Sequence, residues 1–554
     1  MRFPLLLGTA LLLPFATSRA QEPAAPPTHA DSLRGMNGPA RAWWDVAFYD
    51  LHVRIHPADS TIRGVNHITY RVLAPADQMQ IDLQVPLQVD SFVQDGHRLE
   101  YRRDGNAFFV HLVAPQATGE TRTVSVYYWG HPHPARRAPW DGGFVWATDS
   151  LGRSWIATAC QGAGASIWWP TKDTQLDEPD SQRVVITVPD SLRDVSNGRL
   201  RSVTPNGDGT TSYEWFVTEP INNYDVAANV GHYGHLSDSY EGEDGRLTLN
   251  YWPLDYHVDA ARRQFTQVKT MLGCFEHWFG PYPWYADGYQ LVETPHLGME
   301  HQSAIAYGNH YHDGYLGRDL SHTGQGMDWD FIIVHESAHE WFGNSITSAD
   351  LADMWVHESF ANYAENLYVE CLRGPKAGAE YVLGTRQNIR NDRPIIPAFG
   401  LNREGSGDMY YKGGNMLHTI RQVIGDDERW RSILRGLNRT FRHQVVTGQQ
   451  VRDYISRESG QDLSTIFHQY LETTQIPTLE YRIDGRTLRY RWVDAVPGLR
   501  LPIRVTLADS GYAVILPADD WQQATLTLKD PDSFKVDPDY YVLTRRVKEE
   551  GAGQ

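Results

Sequence analysis

The sequence predicts an α+β protein of several domains: an all-β domain on the N-terminal side, an α-rich middle block with a small sheet, and a small β-sandwich at the end. Three observations carry this. At 554 residues the chain far exceeds the ~100 to 200 residues of one domain. Short runs of alternating polarity, such as 49–55 (YDLHVRI) and 124–128 (VSVYY), recur between Gly, Asp, Pro and Asn turns as far as about His235, the period of half-buried strands. Near Ala260 the pattern changes to helical spacing, and alternation returns only after Thr478.

In chain order, residues 1–20 read as an export signal. Arg2 gives a positive start, residues 5–15 are mostly apolar, and Ser18-Arg19-Ala20 offers small residues for cleavage after Ala20. The apolar run is shorter than the ~20 residues that span a bilayer, and no later stretch is apolar enough either. The expectation is therefore an exported protein, periplasmic or secreted, with no integral membrane segment when mature. Residues 21–42 are rich in Pro, Ala and polar residues, the composition of a flexible, unstructured lead-in. Residues 43–235 form the all-β domain. Residues 236–476 form the middle domain: a helical run from about Ala260 to Trp278 stopped by Gly280-Pro281, two strands at 289–293 and 303–307, then mostly helices to about Leu471. Residues 477–545 contain alternating segments such as 488–492 and 503–507, the pattern of the sandwich, and residues 546–554 are a tail.

The formal charge of -18 and the lack of a clustered Lys/Arg surface disfavour nucleic acid or an anionic membrane as partner. An acidic surface that aids solubility explains the charge, and it would also attract cationic peptides or free amino termini. The three cysteines, Cys160, Cys274 and Cys371, cannot build a disulfide framework and leave at least one thiol unpaired. No two are close in sequence, which argues against a thiolate metal site.

Residues 329–343 (WDFIIVHESAHEWFG) contain His-Glu-x-x-His with helical spacing that ends at Gly343. Positions i and i+4 share a helix face, so His335 and His339 can both turn imidazole nitrogens to one metal ion. Glu336 projects about 100° round the helix, suited to a water on the metal rather than to the metal itself. The motif alone is also compatible with a helix that carries two surface histidines. A third ligand stands nineteen residues after His339. Residues 353–365 (DMWVHESFANYAE) begin a second helix, and an antiparallel return through the loop 345–352 would bring Glu358 beside the histidines. Three protein ligands leave a fourth position open, as in a catalytic rather than a structural zinc site. Glu365, two turns beyond Glu358, is placed either to orient a ligand histidine or simply to be solvated.

The run from Val334 through Asn344 to 355–366 (WVHESFANYAEN) resembles the signature of the M1 metallopeptidases, the zinc aminopeptidases of the gluzincin clan. Further marks are residues 279–284 (FGPYPW), 297–300 (LGME) and 410–413 (YYKG). The resemblance implies a thermolysin-like fold for the middle domain and one zinc ion per chain. It implies hydrolysis of the first peptide bond of peptides with a free amino terminus. Residues 297–301 match the family's element that binds substrate, so Gly298 and Met299 are expected to pair with the peptide backbone and Glu300 to bind its α-amine. Leu297 and His301 stand where the family has Gly and Asn. Tyr410 matches the tyrosine that donates to the tetrahedral intermediate. Residues 160–162 (CQG) match a segment reaching into the cleft from the β domain, which makes Gln161 a second amine contact through its side-chain oxygen.

Two other readings stand beside this one. An endopeptidase of the His-Glu-x-x-His group would cut amino-blocked peptides, which the charge of Glu300 disfavours. A non-catalytic peptide-binding module could keep the fold and the metal, but such a scaffold needs neither the proton acceptor Glu336 nor the donor Tyr410.

Overall fold

An extended chain with one buried face alternates apolar and polar side chains. In the computed structural model, which describes residues 26–548, the runs between Trp44 and Val217 do so and assemble into an eight-stranded sheet. Its order is Arg199–Pro205, Thr210–Val217, Ser181–Pro189, Trp44–His56, Thr61–Val72, Thr121–Gly130, Gln88–Gln94 and His97–Arg98. Neighbours are antiparallel except Trp44–His56 with Ser181–Pro189, which run parallel with Leu51 opposite Val184. Two smaller sheets, of three and four strands, complete the N-terminal domain.

The middle domain begins with a five-stranded sheet in the order Leu236–Gly242, Gly245–Trp252, Tyr289–Glu293, Ile305–Tyr307, Gly298–Met299. The expected helical run is two helices, Val258–Gln264 and Gln267–Phe279, the second closed at Gly280 with φ 96°. Gly298–Met299 lies at the sheet edge, paired on one side only, with Met299 opposite Ala306.

The buried apolar side chains form two groups. One fills the N-terminal domain and takes in Val292, Met299, Ala304 and Ala306, so the two domains join along the last strands of the middle sheet. The other runs from Leu247 to Tyr541 and joins the middle domain to the C-terminal strands in one core. Those strands make a four-stranded sheet and a separate hairpin, Ile503–Ala508 with Gly511–Ile515. The last strand, Leu543–Arg546, extends one residue into the expected tail.

The lead-in departs from the expectation of an unstructured segment. Residues His29–Gly35 form a helix whose first turn is closed by a capping box between Thr28 and Asp31, which satisfies two backbone donors at once. Asp31 pairs with Arg403 at 2.5 Å and Arg34 with Asp173 at 3.4 Å, so this helix bridges a loop of the middle domain and the β domain. Arg41, fully buried, pairs with Asp82. The export-signal assignment to residues 1–20 falls outside the described residues. Cys274 and Cys371 form a disulfide between helices Gln267–Phe279 and Trp355–Arg373, and Cys160 is a buried free thiol. No helix among the described residues is long and apolar enough to cross a membrane.

Candidate active site

Helix Phe331–Ala338 starts at Asp330, whose carboxylate accepts from the amides of Ile332 and Ile333 at 3.1 and 3.4 Å. The same carboxylate accepts from Tyr307 Oη at 2.6 Å and from Asn309 Nδ2 at 2.8 Å, tying the helix start to strand Ile305–Tyr307. The regular helix closes at Ala338, five residues before Gly343, and His339 is its cap. Turns carry the chain onward, with the amides of Phe342 and Asn344 bonded to the carbonyls of Ala338 and His339. Gly343, at φ 133°, lies where a Cβ would sit 3.2 Å from His339 Nδ1.

The second helix, Trp355–Arg373, returns against the first, with the rings of Phe342 and Phe360 stacked at 4.4 Å. This brings Glu358 back to the histidines: its Oε2 lies 3.6 Å from His335 Nε2 and 3.5 Å from His339 Nε2. The three donor atoms fall within 4.8 Å of one another, and all three residues are buried. Both rings are oriented from behind. His335 Nδ1 lies 2.7 Å from Glu365 Oε1, and His339 Nδ1 lies 3.0 Å from the Phe342 carbonyl oxygen. Each Nε2 is thereby directed at the common point. Glu365 also accepts from Asn362 Nδ2 at 3.1 Å and Tyr381 Oη at 2.6 Å.

A divalent ion fits this group. Glu358 is 1% exposed, yet its Oε2 has no hydrogen-bond partner, and a buried carboxylate oxygen without a partner is costly unless a cation completes it. Two imidazoles and one carboxylate suit zinc.

Glu336 and Glu300 converge on the same space, each offering an oxygen within 4.8 Å of a His339 ring nitrogen. Glu336 is pressed against the edge strand, where a Cβ on Gly298 would come within 2.7 Å of its Oε1; glycine makes the approach possible. Burial pushes the Glu336 carboxyl up to about 7. Glu300 is 2% exposed and its Oε1 has no partner; burial raises its carboxyl as well. His301, at the position where the resemblance expects Asn, is fully buried with neither ring nitrogen bonded, and burial lowers it to about 3.

Tyr410 precedes helix Tyr411–Ile424. Gly413 and Gly414 let this helix close on Trp355–Arg373, since a Cβ at either would collide with Ser359 or Asn362. Ser359 Oγ donates to the Met409 carbonyl at 2.7 Å, and the Tyr410 ring comes to lie over His335 with centroids 5.9 Å apart. Gln161, from the β domain, donates through Nε2 to Glu358 Oε1 at 2.8 Å. Its amide is thus engaged with the metal group, and its oxygen is left for the cleft.

All ten residues singled out from the sequence, His335, Glu336, His339, Glu358, Glu365, Glu300, Gly298, Met299, Tyr410 and Gln161, line one cavity of about 540 Å³. Sequence reasoning missed Asn362, Tyr381 and Arg390, and it missed Glu404, whose Oε1 stands over Gly162.

The arrangement is a candidate metal site of the His-Glu-x-x-His pattern, with the distant Glu358 as third donor. Residues 263–470 match the model of the peptidase family M1 domain. The middle of the chain is thus similar to that family's domain. The chain is 22% identical over 337 residues to probable aminopeptidase 1 of Sulfurisphaera tokodaii, a match covering 57% of this chain and 41% of that protein. It is 22% identical over 349 residues to a leucyl aminopeptidase of Saccharolobus solfataricus, covering 59% and 43%. The chain thus spans less than half the length of these relatives. Its fold is that of an M1 zinc metallopeptidase from Deinococcus radiodurans, with a TM-score of 0.65 at 22% identity over 80% of this chain and 96% of that one.

Proposed function

We propose that this chain is a zinc-dependent aminopeptidase that removes the first residue of peptides with a free amino terminus, using one zinc ion held by His335, His339 and Glu358. The observation that carries the reading is the convergence beside that group of Glu300, which follows the edge strand Gly298–Met299, and Glu336, from helix Phe331–Ala338. When bound, the ion supplies Lewis acidity to the scissile carbonyl and to a water beside it.

The chain's own residues supply the rest. A peptide lies along Gly298–Met299 as an added strand. Its terminal ammonium meets Glu300, whose buried carboxylate has an oxygen to spare, and the side-chain oxygen of Gln161. Fixing the ammonium there sets which bond reaches Glu336, so cleavage occurs one residue in. Glu336 takes a proton from the attacking water and returns it to the departing amine. Tyr410 donates its hydroxyl hydrogen to the developing oxyanion.

Export fits the same reading, supported by the apolar opening of the sequence and by the Cys274–Cys371 cross-link, a bond that persists in oxidising compartments.

The test is to offer the purified protein matched peptides with free and acetylated amino ends, with and without a chelator, beside Glu336→Gln. Loss of the first residue from free peptides only, abolished by the chelator and reduced roughly 10²–10⁴-fold in the variant, is the expected result. Equal cutting of acetylated peptides would replace the aminopeptidase by an endopeptidase.

A further inference from the structure

A second cavity, of about 450 Å³, opens between the N-terminal domain and the five-stranded sheet of the middle domain, and it shares no lining residue with the catalytic one. The N-terminal domain contributes Arg193, from the short strand Arg193–Val195, the edge strand Arg199–Pro205 and its neighbour Thr210–Val217. The middle domain contributes His235 and the strands Gly245–Trp252 and Tyr289–Glu293. Gln290 braces the two sides: its Nε2 donates to the carbonyls of Ser196 and Gly198 at 3.1 and 3.2 Å, and its Oε1 accepts from Trp252 Nε1 at 2.8 Å. The space is therefore held open by fixed walls.

The lining carries positive charge with nothing to offset it. Arg199 commits its nitrogens to neutral oxygens, Nε to the Ala286 carbonyl at 2.9 Å, Nη2 to the Tyr285 carbonyl at 3.2 Å and Nη1 to Thr248 Oγ1. Arg193 donates to the Tyr233 carbonyl at 3.4 Å, and its guanidinium lies 5.6 Å from the centroid of the Trp252 ring, on which His235 stacks at 4.1 Å. Among the described residues neither arginine has a carboxylate partner, and no Asp or Glu lines the cavity. Asp194, next in the strand, is fully buried with neither oxygen bonded, and burial raises its carboxyl well above the usual range, so it is a poor counter-charge for Arg193. Two guanidiniums without an anion, in a chain of formal charge -18, make a local positive field that attracts one.

The remaining lining is apolar. Tyr213 and Trp215 are buried, whereas Leu200 and Val203, 39% and 49% exposed, stand uncovered on the edge strand. We propose that this cavity is a binding site for a small organic anion that joins a carboxylate to a flat apolar group. The carboxylate pairs with Arg193 and Arg199, whose planar guanidiniums match its geometry, and the apolar group lies against Leu200, Val203 and the two buried rings. The volume is that of a small-molecule site. An ammonium would find no carboxylate here, in contrast to the catalytic cavity with Glu300, so the free amino acids released by the proposed reaction are disfavoured as occupants. The inference stands on residues that catalysis does not use and does not rest on the peptidase reading.

The test is calorimetry of the zinc-loaded protein with N-acetyl-L-tryptophan and with N-acetyl-L-tryptophanamide, which has nearly the same shape without the charge. The expected result is one acid molecule bound per chain, with the amide weaker by roughly tenfold or more. Arg193→Gln should weaken the acid by a similar factor and leave the amide unchanged, and Arg193→Lys, which keeps the charge but not the planar fork, should fall between. Val203→Glu, at an exposed position of the edge strand, should also weaken the acid through repulsion, and it decides the matter if the arginine variants fail to fold. No binding of the acid, equal binding of acid and amide, or acid binding that survives both Arg193→Gln and Val203→Glu would overturn the proposal; the last would place the carboxylate on the zinc ion instead.

Discussion

Behind the metal group, Nδ1 of His335 and of His339 each has a fixed partner, and Glu365, which holds the first, receives two further hydrogen bonds. On the side facing the cleft, an oxygen of Glu358 and an oxygen of Glu300 have none among the described residues. The rear thus fixes the ring nitrogens before any ion arrives. The front holds polar atoms that only an ion or a substrate can complete, at a cost to the empty protein of about 1–3 kcal/mol for each buried atom left without a partner. Substitutions on the two sides should therefore fail differently. Front-side changes other than at Glu358, itself a ligand, should lower turnover with metal retained, whereas rear-side changes should lower metal affinity first.

The largest expected effect is on the front. Tyr410→Phe keeps the ring that lies over His335 and deletes only the hydroxyl. The expected loss is about 3 kcal/mol of transition-state stabilisation, or roughly 100-fold in kcat, with KM and zinc content little changed. Steady-state kinetics with metal analysis on the same sample checks this. A comparable loss of bound zinc would show that Tyr410 belongs to the rear support and would erase the contrast.

On the rear, Glu365→Gln preserves volume but cannot preserve every bond. The new amide must turn either its nitrogen or its oxygen toward His335 Nδ1 and Asn362 Nδ2, which share one atom, and the other faces Tyr381. Weakening of zinc affinity by roughly 10–100-fold is expected, read by competition with a chelator. At saturating zinc, kcat should recover most of its parent value. If kcat stays low at saturation, the rear side takes part in the reaction.

What could be read from the sequence divides along similar lines. The pair His335 and His339 was legible because the helix period places i and i+4 on one face, and Glu358 because a short loop between two helices permits only a close return. Gly298–Met299 was legible as an edge strand through its resemblance to a known element. Tyr381 and Glu404 were not. Tyr381 reaches Glu365 across a helix-to-helix contact sixteen residues apart, and Glu404 lies in a loop with no periodicity, meeting Gly162 from another domain. The bond from Gln161 to Glu358 spans 197 residues, a distance over which local pattern says nothing. The lead-in helix is a different case, since Thr28-x-x-Asp31 is a recognisable capping pattern that the surrounding Pro and Ala content outweighed. The end of the metal helix was misplaced because Gly343 looks like a C-terminal stop. In the structure it closes a turn beyond Ala338 that swings the Phe342 carbonyl back onto His339.

The smallest effect tests how finely the rear side is graded. Tyr381 is 1% exposed, its ring packs against Trp329 at 5.6 Å, and its hydroxyl donates to Glu365 Oε2 at 2.6 Å. Tyr381→Phe leaves that packing in place and removes one of three contacts to the carboxylate. Because His335 and Asn362 both engage Oε1, losing Tyr381 strips Oε2 of its hydrogen bond while the link to His335 survives. About 1 kcal/mol should be lost, a roughly fivefold weakening of zinc affinity with kcat at saturation unchanged. An effect as large as that of Glu365→Gln would mean that the hydroxyl, rather than the carboxylate it supports, sets the orientation of His335; no effect at all would mean that Asn362 alone suffices to hold Glu365 in place.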